Sequence, residues 1–194
     1  SGNRSDSLRS PKFSAVFGPW AKTEYFLNWG RGFHSNDARG VNQTVNPSTG
    51  AAATPVTPLA RTTGYEAGMR TQYVPGVTAL VALWQLRQNS ELIFVGDAGT
   101  TEAGRPSWRT GVEFNNRRAA APWLDLQADL AWSQSRYSDG MPQDRIPNAV
   151  SQVGQVSAFV KHGGPWATGL QWRYIGSAPL NGDGSVSSAV VQTL

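Results

Sequence analysis

The chain has 194 residues, of which 39% are hydrophobic and only 15% are charged, with 8 Trp and a formal net charge of +4. Lysines and arginines are scattered along the sequence, so a nucleic-acid-binding surface is not expected. The absence of cysteine excludes a disulfide framework and a thiolate metal site. No apolar run approaches the ~20 residues that a membrane-spanning helix needs.

Nine stretches of the sequence are predicted to form β-strands, because most of them alternate residues of different polarity with a period of two. Tyr65 and Met69 share one predicted face, for example, while Glu66 and Arg70 share the other. Several stretches reach the ~9–11 residues of a tilted membrane strand, whereas soluble strands usually have ~5–6. In chain order the predicted strands are 12–18, 22–30, 60–73, 78–87, 107–118, 123–136, 150–161, 166–176 and 187–194.

Most predicted strands carry charged residues on one face and apolar residues on the other. In the strand 78–87, Leu80, Ala82, Trp84 and Leu86 are expected to form the apolar face. A soluble β-sandwich also alternates in this way, so the pattern alone does not identify the solvent on each side. In a barrel, the polar face would line a wet lumen with charges paired between strands. The residues predicted to face that lumen are Glu66, Arg70, Arg109, Glu113, Asp125, Asp129 and Arg173.

Short turns and long polar connections alternate strictly along the chain. Outer-membrane barrels show this order, with short periplasmic turns and long extracellular loops. The sequence therefore predicts an all-β, antiparallel up-and-down meander of about nine long strands, which forms part of a larger transmembrane β-barrel. Residues 1–194 would form one partial β-barrel domain, with short turns at about 19–21, 74–77, 119–122 and 162–165 and long loops at about 31–58, 88–106, 137–149 and 177–186.

The sequence offers no pattern typical of an enzyme or of a cofactor site. The run GRGFHS at 30–35 nearly matches a dinucleotide-binding glycine pattern, but neither a helix pattern nor a βαβ unit surrounds it. His34 and His162 lie far apart and do not form a metal-ligand spacing. Glu113, Asp125 and Asp129 could pass for a paired acid/base site, but nearby arginines explain them more simply as lumenal ion pairs. We therefore expect no catalytic residues, no metal site and no cofactor.

Several segments resemble the barrel of TonB-dependent outer-membrane receptors. They include EYFLNWG at 24–30, GYEAGMR at 64–70 and SELIFVGDAG at 90–99, together with GFHSNDARG at 32–40 and IPNA at 146–149. The order and spacing of the segments agree with that family. The resemblance implies that this chain is a portion of such a barrel, from its C-terminal region.

The resemblance also implies a function in the bacterial outer membrane. Receptors of this kind are 22-stranded barrels with a plugged lumen; they bind a small-molecule nutrient outside, and a TonB-type energy-transducing complex acts through the plug. The chain would then contact outer-membrane lipid and serve energy-dependent uptake of a scarce nutrient, such as an iron chelate. The candidate ligand-binding residues, chosen by loop position and residue type, are His34, Asn36, Asp37, Arg39, Asp97, Trp108 and Tyr137.

Two other classes of protein are compatible with the alternation. One is a complete small outer-membrane barrel that acts as a passive pore or adhesin, although nine strands disagree with the even number that single-chain bacterial barrels use. The other is a soluble Trp-rich β-sandwich that binds carbohydrate. The strict order of short and long connections disfavours the sandwich, whose loops need not be sorted in this way.

Overall fold

A computed structural model of the chain describes residues 4–36, 41–45, 50–52, 55–90, 92–95 and 100–194. The main feature is one antiparallel sheet of nine strands, in which each strand pairs with its neighbours in chain order. This result confirms the predicted all-β meander. The strands of the sheet are β1 (Lys12–Trp20), β2 (Thr23–Ser35), β3 (Leu59–Thr71), β4 (Val77–Gln88), β7 (Ser107–Ala121), β8 (Leu124–Tyr137), β9 (Gln152–Lys161), β10 (Ala167–Ile175) and β11 (Val191–Thr193), while β5 (Leu92–Val95) and β6 (Thr100–Ala103) form a separate hairpin.

The three largest differences between the predicted and the observed strands are the following. Strand β2 continues past residue 30 to Ser35, because Arg31 to Ser35 stay in register with β3 up to the pair of Ser35 with Leu59. The small hairpin of β5 and β6 lies in a connection where no strand was predicted, since two strands of 4 residues are too short to show a clear period. Strand β11 is limited to Val191–Thr193 instead of covering 187–194.

Short and long connections lie at opposite ends of the sheet, as the consecutive antiparallel order requires. The short connections are 21–22, 72–76, 122–123 and 162–166, and the long ones are 36–58, 89–106, 138–151 and 176–190. The tight turn between β1 and β2 places Ala21 and Lys22 at φ values of 47° and 59°. We refer below to the short-turn end and the long-loop end of the sheet.

The register sorts the side chains of the sheet into two different faces. Directly paired residues in an antiparallel ladder point to the same side, and successive residues of one strand point to opposite sides. Glu24 pairs with Arg70 and Asn28 pairs with Glu66, so these four residues share one side, which we call the polar face. All strand carboxylates of the nine-stranded sheet lie on this face, namely Glu24, Glu66, Glu113, Asp125 and Asp129.

The opposite side, which we call the apolar face, presents large hydrophobic side chains that no other part of the described structure covers. Leu27, Leu83 and Leu130 are 48%, 60% and 52% exposed. A β-sandwich would bury such residues between two sheets about 10 Å apart, whereas the nine strands form a single layer. The soluble sandwich is therefore excluded as the architecture of the described residues.

The prediction for strand β4 was wrong about which residues face the apolar side of the sheet. Its residues Leu80, Ala82, Trp84 and Leu86 lie on the polar face, because Trp84 pairs with Glu66 and Leu80 pairs with Arg70. The apolar face of β4 carries Ala79, Val81 and Leu83 instead. Both sides of this strand are thus apolar, so the alternation within the strand could not show which side belongs to the polar face of the sheet.

Helices contribute little to the described structure. Within the described ranges, no helix combines the length and the apolar character needed to cross a membrane.

Replacing Gly68 with alanine is expected to destabilise the sheet by about 1–3 kcal/mol, the usual cost of overpacking. A Cβ at Gly68 would overlap the Phe26 ring and lie 2.5 Å from the carbonyl oxygen of Val81. The matched control is Gly169→Ala on the same face of β10, where a Cβ would meet only Phe159, at 3.7 Å. Urea unfolding in detergent micelles, followed by Trp fluorescence, should lower the midpoint for Gly68→Ala alone; equal shifts for both variants would contradict this packing.

Candidate functional site

The polar face near the short-turn end carries charged groups that pair between adjacent strands. The Asp125 carboxylate lies 3.2 Å from Lys161 Nζ and 3.7 Å from an Arg117 nitrogen. The Asp129 carboxylate accepts hydrogen bonds from Asn115 Nδ2 at 3.1 Å and from Gln127 Nε2 at 2.7 Å. Such partly exposed pairs each contribute about 0–1 kcal/mol, so their main effect is to keep this face polar and hydrated.

The seven residues predicted to line a lumen all lie on the polar face. Arg70 pairs with Glu24 through a contact of 2.5 Å, and Glu66 accepts a hydrogen bond of 2.8 Å from Asn28 Nδ2. The register brings these seven residues from four strands to this one side, although the first and the last are more than one hundred positions apart in sequence. The residues are Glu66, Arg70, Arg109, Glu113, Asp125, Asp129 and Arg173.

Phe26 and Trp84 are aromatic side chains on this polar surface, and each lies across a glycine. A Cβ built at Gly68 would overlap the Phe26 ring, and a Cβ built at Gly111 would lie 2.7 Å from Trp84 Cζ2. The absence of side chains at these glycines therefore makes room for the rings to lie close to the sheet. The Trp84 indole Nε1 is buried and makes no hydrogen bond within the described residues.

A hollow with a floor of glycines lies on the polar face beside Trp84. Gly30 and Gly64 are directly paired, and Gly32 pairs with Thr62 one step closer to the long-loop end. Without side chains at these positions, an open space of about 490 Å³ remains above the backbone. The side chains around it that share the polar face are those of Lys12, Ser14, Asn28, Thr62, Glu66, Trp84 and Leu86.

The walls of this glycine hollow differ in chemistry. Lys12 supplies an ammonium group, Glu66 a carboxylate and Trp84 an aromatic surface. Such a combination can hold a ligand that has a flat apolar part and polar groups at its edge, because few well-placed polar groups suffice to orient a ligand against an apolar wall. His34 pairs with Ala60 and lies on the same face, beyond Gly32 toward the long-loop end.

The first long loop begins at Asn36, which is buried and holds the loop in place. Its backbone N–H donates to the Pro58 carbonyl oxygen at 2.9 Å, and its side-chain Nδ2 donates to the Thr57 carbonyl oxygen at 2.6 Å. These bonds join the two ends of the loop above β2 and β3. Two other candidate residues of this loop, Asp37 and Arg39, lie outside the described residues, as does Asp97 of the second long loop.

Tyr137 lies on the polar face at the long-loop end, where it is only 7% exposed. The Arg105 guanidinium carbon is 4.4 Å from the centre of its ring, a distance typical of a cation–π contact. Arg105 Nε and Nη2 donate to the two carboxylate oxygens of Asp139 at 2.5 and 2.6 Å, and Nη1 donates to the Gln143 carbonyl oxygen at 2.8 Å. Arg105 thus connects the second long loop to the third.

The hydrogen bonds from Arg105 lower the pKa of Asp139 to about 2 from its ordinary value of 3.8. The same interaction raises the pKa of Arg105. Charge-assisted bidentate pairs of this kind have a defined geometry, so the pair fixes the start of the third long loop relative to β7.

Trp108 lies on the apolar face, opposite to the charged residues of β7. It pairs with Arg87 and Arg136, whereas Arg109 and Glu113 share the polar face. The structure therefore brings His34, Asn36 and Tyr137 to the long-loop end of the polar face and separates Trp108 from them.

Sequence reasoning missed the glycine hollow and the pair of Arg105 with Asp139. The spacing of Gly30, Gly32, Gly64 and Gly68 by even numbers within strands signals glycines on one face, but only the pairing of β2 with β3 shows that they are adjacent. Arg105 and Asp139 lie in separate loops with no pattern that relates them. In the described part of the chain, no group of three or more His, Asp or Glu side chains could hold a metal ion.

One protein-family model matches almost the whole chain. Residues 1–192 match the family model described as TonB dependent receptor-like, beta-barrel. No curated protein sequence matches the chain at a significant level.

Solved structures similar to this chain include three receptors or transporters. The ferric yersiniabactin uptake receptor FyuA from Yersinia pestis has a TM-score of 0.71 and 16% identity over 94% of this chain and 28% of its own. The copper transporter OprC has a TM-score of 0.69 and 15% identity over 93% of this chain and 29% of its own. BauA, the ferric preacinetobactin receptor from Acinetobacter baumannii, has a TM-score of 0.70 and 9% identity over 94% of this chain and 28% of its own. At these identities the likeness shows the fold, and this chain spans less than a third of the length of those proteins.

Acidification is expected to loosen the third long loop in a defined pH window. Because the pKa of Asp139 is lowered in the folded state, the stabilising effect of its pair with Arg105 is complete above about pH 3.8 and is lost as the pH falls toward about 2. The hydrogen-exchange protection factors of residues 138–151, which are corrected for the intrinsic pH dependence of amide exchange, should therefore fall across that window. In Asp139→Asn these protection factors should already be low at neutral pH and change little on acidification.

The control for this experiment is Asp144→Asn, which removes a carboxylate of the same loop that pairs with Arg136 at 3.1 Å. It leaves the pair of Arg105 with Asp139 intact, so the acid-dependent fall of the protection factors should remain. An identical response of Asp139→Asn and the unmodified protein would contradict the role of Asp139.

Proposed function

Because the chain belongs to the TonB-dependent receptor β-barrel family, we propose that it forms part of the barrel wall of a receptor for energy-dependent uptake of a scarce nutrient, with an iron chelate as the first candidate. TonB-dependent receptors are transporters of the outer membrane and not enzymes. Similar structures are described as receptors for ferric yersiniabactin and ferric preacinetobactin and as a copper transporter. These descriptions favour a metal complex as the nutrient.

The observation that carries the proposal is that the carboxylates and the large exposed apolar side chains of the sheet lie on opposite faces. Carboxylates of the nine strands lie only on the polar face, and large apolar residues such as Leu83 and Leu170 are exposed on the other. Exposing that much apolar surface to water would be unfavourable by about 25 cal/mol for each Å². Contact of the apolar face with hydrocarbon and of the polar face with a wet lumen removes this conflict.

The open edges of the sheet support a larger barrel around this domain. Strand β1 pairs only with β2, and β10 is paired along its length with β9 but with β11 only at 173–175. Unpaired backbone groups cannot remain in a bilayer, since hydrocarbon offers them no hydrogen bonds. We therefore interpret residues 1–194 as one partial β-barrel domain whose edges pair with further strands.

The long-loop end of the polar face is the proposed contact region for the nutrient. His34 and the glycine hollow lie there, and Trp84 offers an aromatic surface that a flat chelate could cover. Asp37, Arg39 and Asp97 belong to the adjoining loops and complete the proposed contacts. Asn36 and Tyr137 would act by holding the loops in position, since each is buried beneath other groups.

The proposed receptor needs two further partners. Outer-membrane lipid covers the apolar face, and a TonB-type energy-transducing complex acts through a plug inside the barrel. A complete small barrel that acts as a passive pore or adhesin would need neither the plug nor the energy source, which gives a direct way to distinguish the two functions.

Uptake is expected to require the proton gradient of the inner membrane. Cells that carry the complete receptor should accumulate a labelled cognate chelate, and a protonophore should abolish accumulation while binding at the cell surface persists. A passive pore would continue to equilibrate the solute after the gradient is removed. Accumulation that is insensitive to the protonophore would therefore contradict the proposed function.

Filling the glycine hollow is expected to weaken chelate binding by about tenfold, the effect of losing one good polar or packing contact. In Gly64→Leu, the new Cβ would lie 3.8 Å from Leu86 Cδ1, an ordinary contact, while the rest of the side chain would occupy the hollow. His34→Ala and Asp37→Ala should weaken binding by a similar factor. Equilibrium binding of the labelled chelate to the purified receptor measures each change.

Gly169→Leu is the matched control, because Gly169 lies on the same face of β10, outside the hollow, and its Cβ would meet Phe159 at 3.7 Å. It should bind the chelate as the unmodified receptor does. Normal binding by Gly64→Leu, His34→Ala and Asp37→Ala together would remove this region from the site.

A further inference from the structure

The charged residues on the apolar face are all arginines, and most lie at one end. In the nine-stranded sheet this face carries no carboxylate and no lysine. Four of its arginines lie near the long-loop end and one, Arg118, lies near the short-turn end. Placing an arginine on a hydrocarbon-facing surface is unfavourable in free energy unless the guanidinium group contacts an anion or reaches the membrane–water interface. The set consists of Arg31, Arg61, Arg87, Arg118 and Arg136.

Three of these arginines lie in a single cross-strand row. Arg31 pairs with Thr63, Thr63 with Arg87, Arg87 with Trp108, and Trp108 with Arg136. Adjacent strands are about 4.8 Å apart, so successive arginines of the row begin about 10 Å from one another. Arg61 lies one step nearer the loops, where it pairs with Phe33. We use the name arginine row for all four residues, that is, the three aligned arginines Arg31, Arg87 and Arg136 together with the neighbouring Arg61.

The guanidinium groups of the row differ in how far they are neutralised. Arg31, Arg61 and Arg87 are exposed, and within the described residues no carboxylate lies within 4 Å of them. Arg31 lies over the Trp29 ring, with its guanidinium carbon 5.9 Å from the ring centre. Arg136 is partly balanced by Asp144 at 3.1 Å. The row therefore retains net positive charge that no described group offsets.

Arg145 is adjacent to the row but does not extend it. It forms an isolated bridge with Arg136, while its side chain packs closely over Gly184 of the fourth long loop. Its guanidinium group therefore lies beside the fourth long loop and not along the row.

The surface directly below the row changes from aromatic to aliphatic. Trp29 and Tyr65 come next toward the short-turn end, followed by the exposed side chains of Leu27 and Leu83. Aromatic residues mark the membrane interface and aliphatic residues the hydrocarbon region. A ligand of the row would thus have its anionic groups at the interface and its apolar part on the strands below.

We propose that the arginine row binds the headgroup of a lipid with two or more phosphates, whose acyl chains lie on the apolar face below. Arginine forms bidentate hydrogen bonds with phosphate, which favours phosphate over other anions. The three aligned guanidinium groups span about 20 Å, because four inter-strand steps separate Arg31 from Arg136. A single phosphate is too small to contact all three. Arg118 at the other end has no such neighbours. The proposal rests on the proposed function, because it requires the long-loop end to meet the outer leaflet.

Lipid binding to the purified full-length receptor in detergent micelles tests this proposal. Native mass spectrometry is carried out with a bisphosphorylated glycolipid (lipid A), with its dephosphorylated form, with a lipid that has one phosphate, and with inorganic pyrophosphate. We expect retained binding of the bisphosphorylated lipid at least tenfold above that of the others. Equal binding of the dephosphorylated lipid, or binding of pyrophosphate as tight as that of the lipid, would overturn the proposal.

Substitutions then locate the site. Arg31→Gln and Arg87→Gln should each weaken binding of the bisphosphorylated lipid by about tenfold, as expected for loss of a charge-assisted pair. Arg118→Gln, on the same face at the short-turn end, should leave binding unchanged and serves as the matched control. Equal binding by the double variant Arg31→Gln/Arg87→Gln and by the control would overturn the assignment.

The outcomes separate this inference from the proposed function. All variants are first checked for heat-modifiable migration, which reports a folded barrel. A receptor that imports its chelate but binds lipid independently of Arg31 and Arg87 contradicts the lipid site alone. A receptor that binds the lipid through the row but imports nothing contradicts the uptake function alone.

Discussion

The register between neighbouring strands is the constraint on which the rest of the structure depends. A single layer has no core of its own, so the backbone ladder and the sorting of side chains to two faces define the fold. A slip of one residue would move every carboxylate of a strand to the apolar side. The long ladders oppose such a slip: β2 and β3 stay in register from the pair of Thr23 with Thr71 to the pair of Ser35 with Leu59.

Each face satisfies a different requirement. The polar face holds charges of both signs, as where Asp125 lies between Lys161 and Arg117, so that it is hydrated without a large net charge. The apolar face holds only positive charge, placed mainly where the strands meet the long loops. Carboxylates gain nothing on a surface that meets hydrocarbon and lipid phosphates, whereas arginines can bind those phosphates.

The long-loop end concentrates the features that could recognise other molecules. The glycine hollow lies on one side of the sheet and the arginine row on the other, and both involve the same pair of strands, β2 and β3. Arg105 with Asp139, and Asn36 with Thr57, hold the surrounding loops to the ends of the strands. A rigid wall with tied loops is a suitable frame for binding, because less ordering is needed when a ligand arrives.

The sequence by itself determined the strands, their meander and the polar face, because alternation within β3, β7 and β8 is strong and the turns between strands are short. It could not assign the faces of β4, where Leu80 and Val81 are equally apolar, nor predict the hairpin of two short strands. Only the tertiary structure placed Gly30 beside Gly64 and aligned Arg31, Arg87 and Arg136. The physical reason is that alternation is a property of one strand, whereas adjacency depends on the register between strands that lie far apart in sequence.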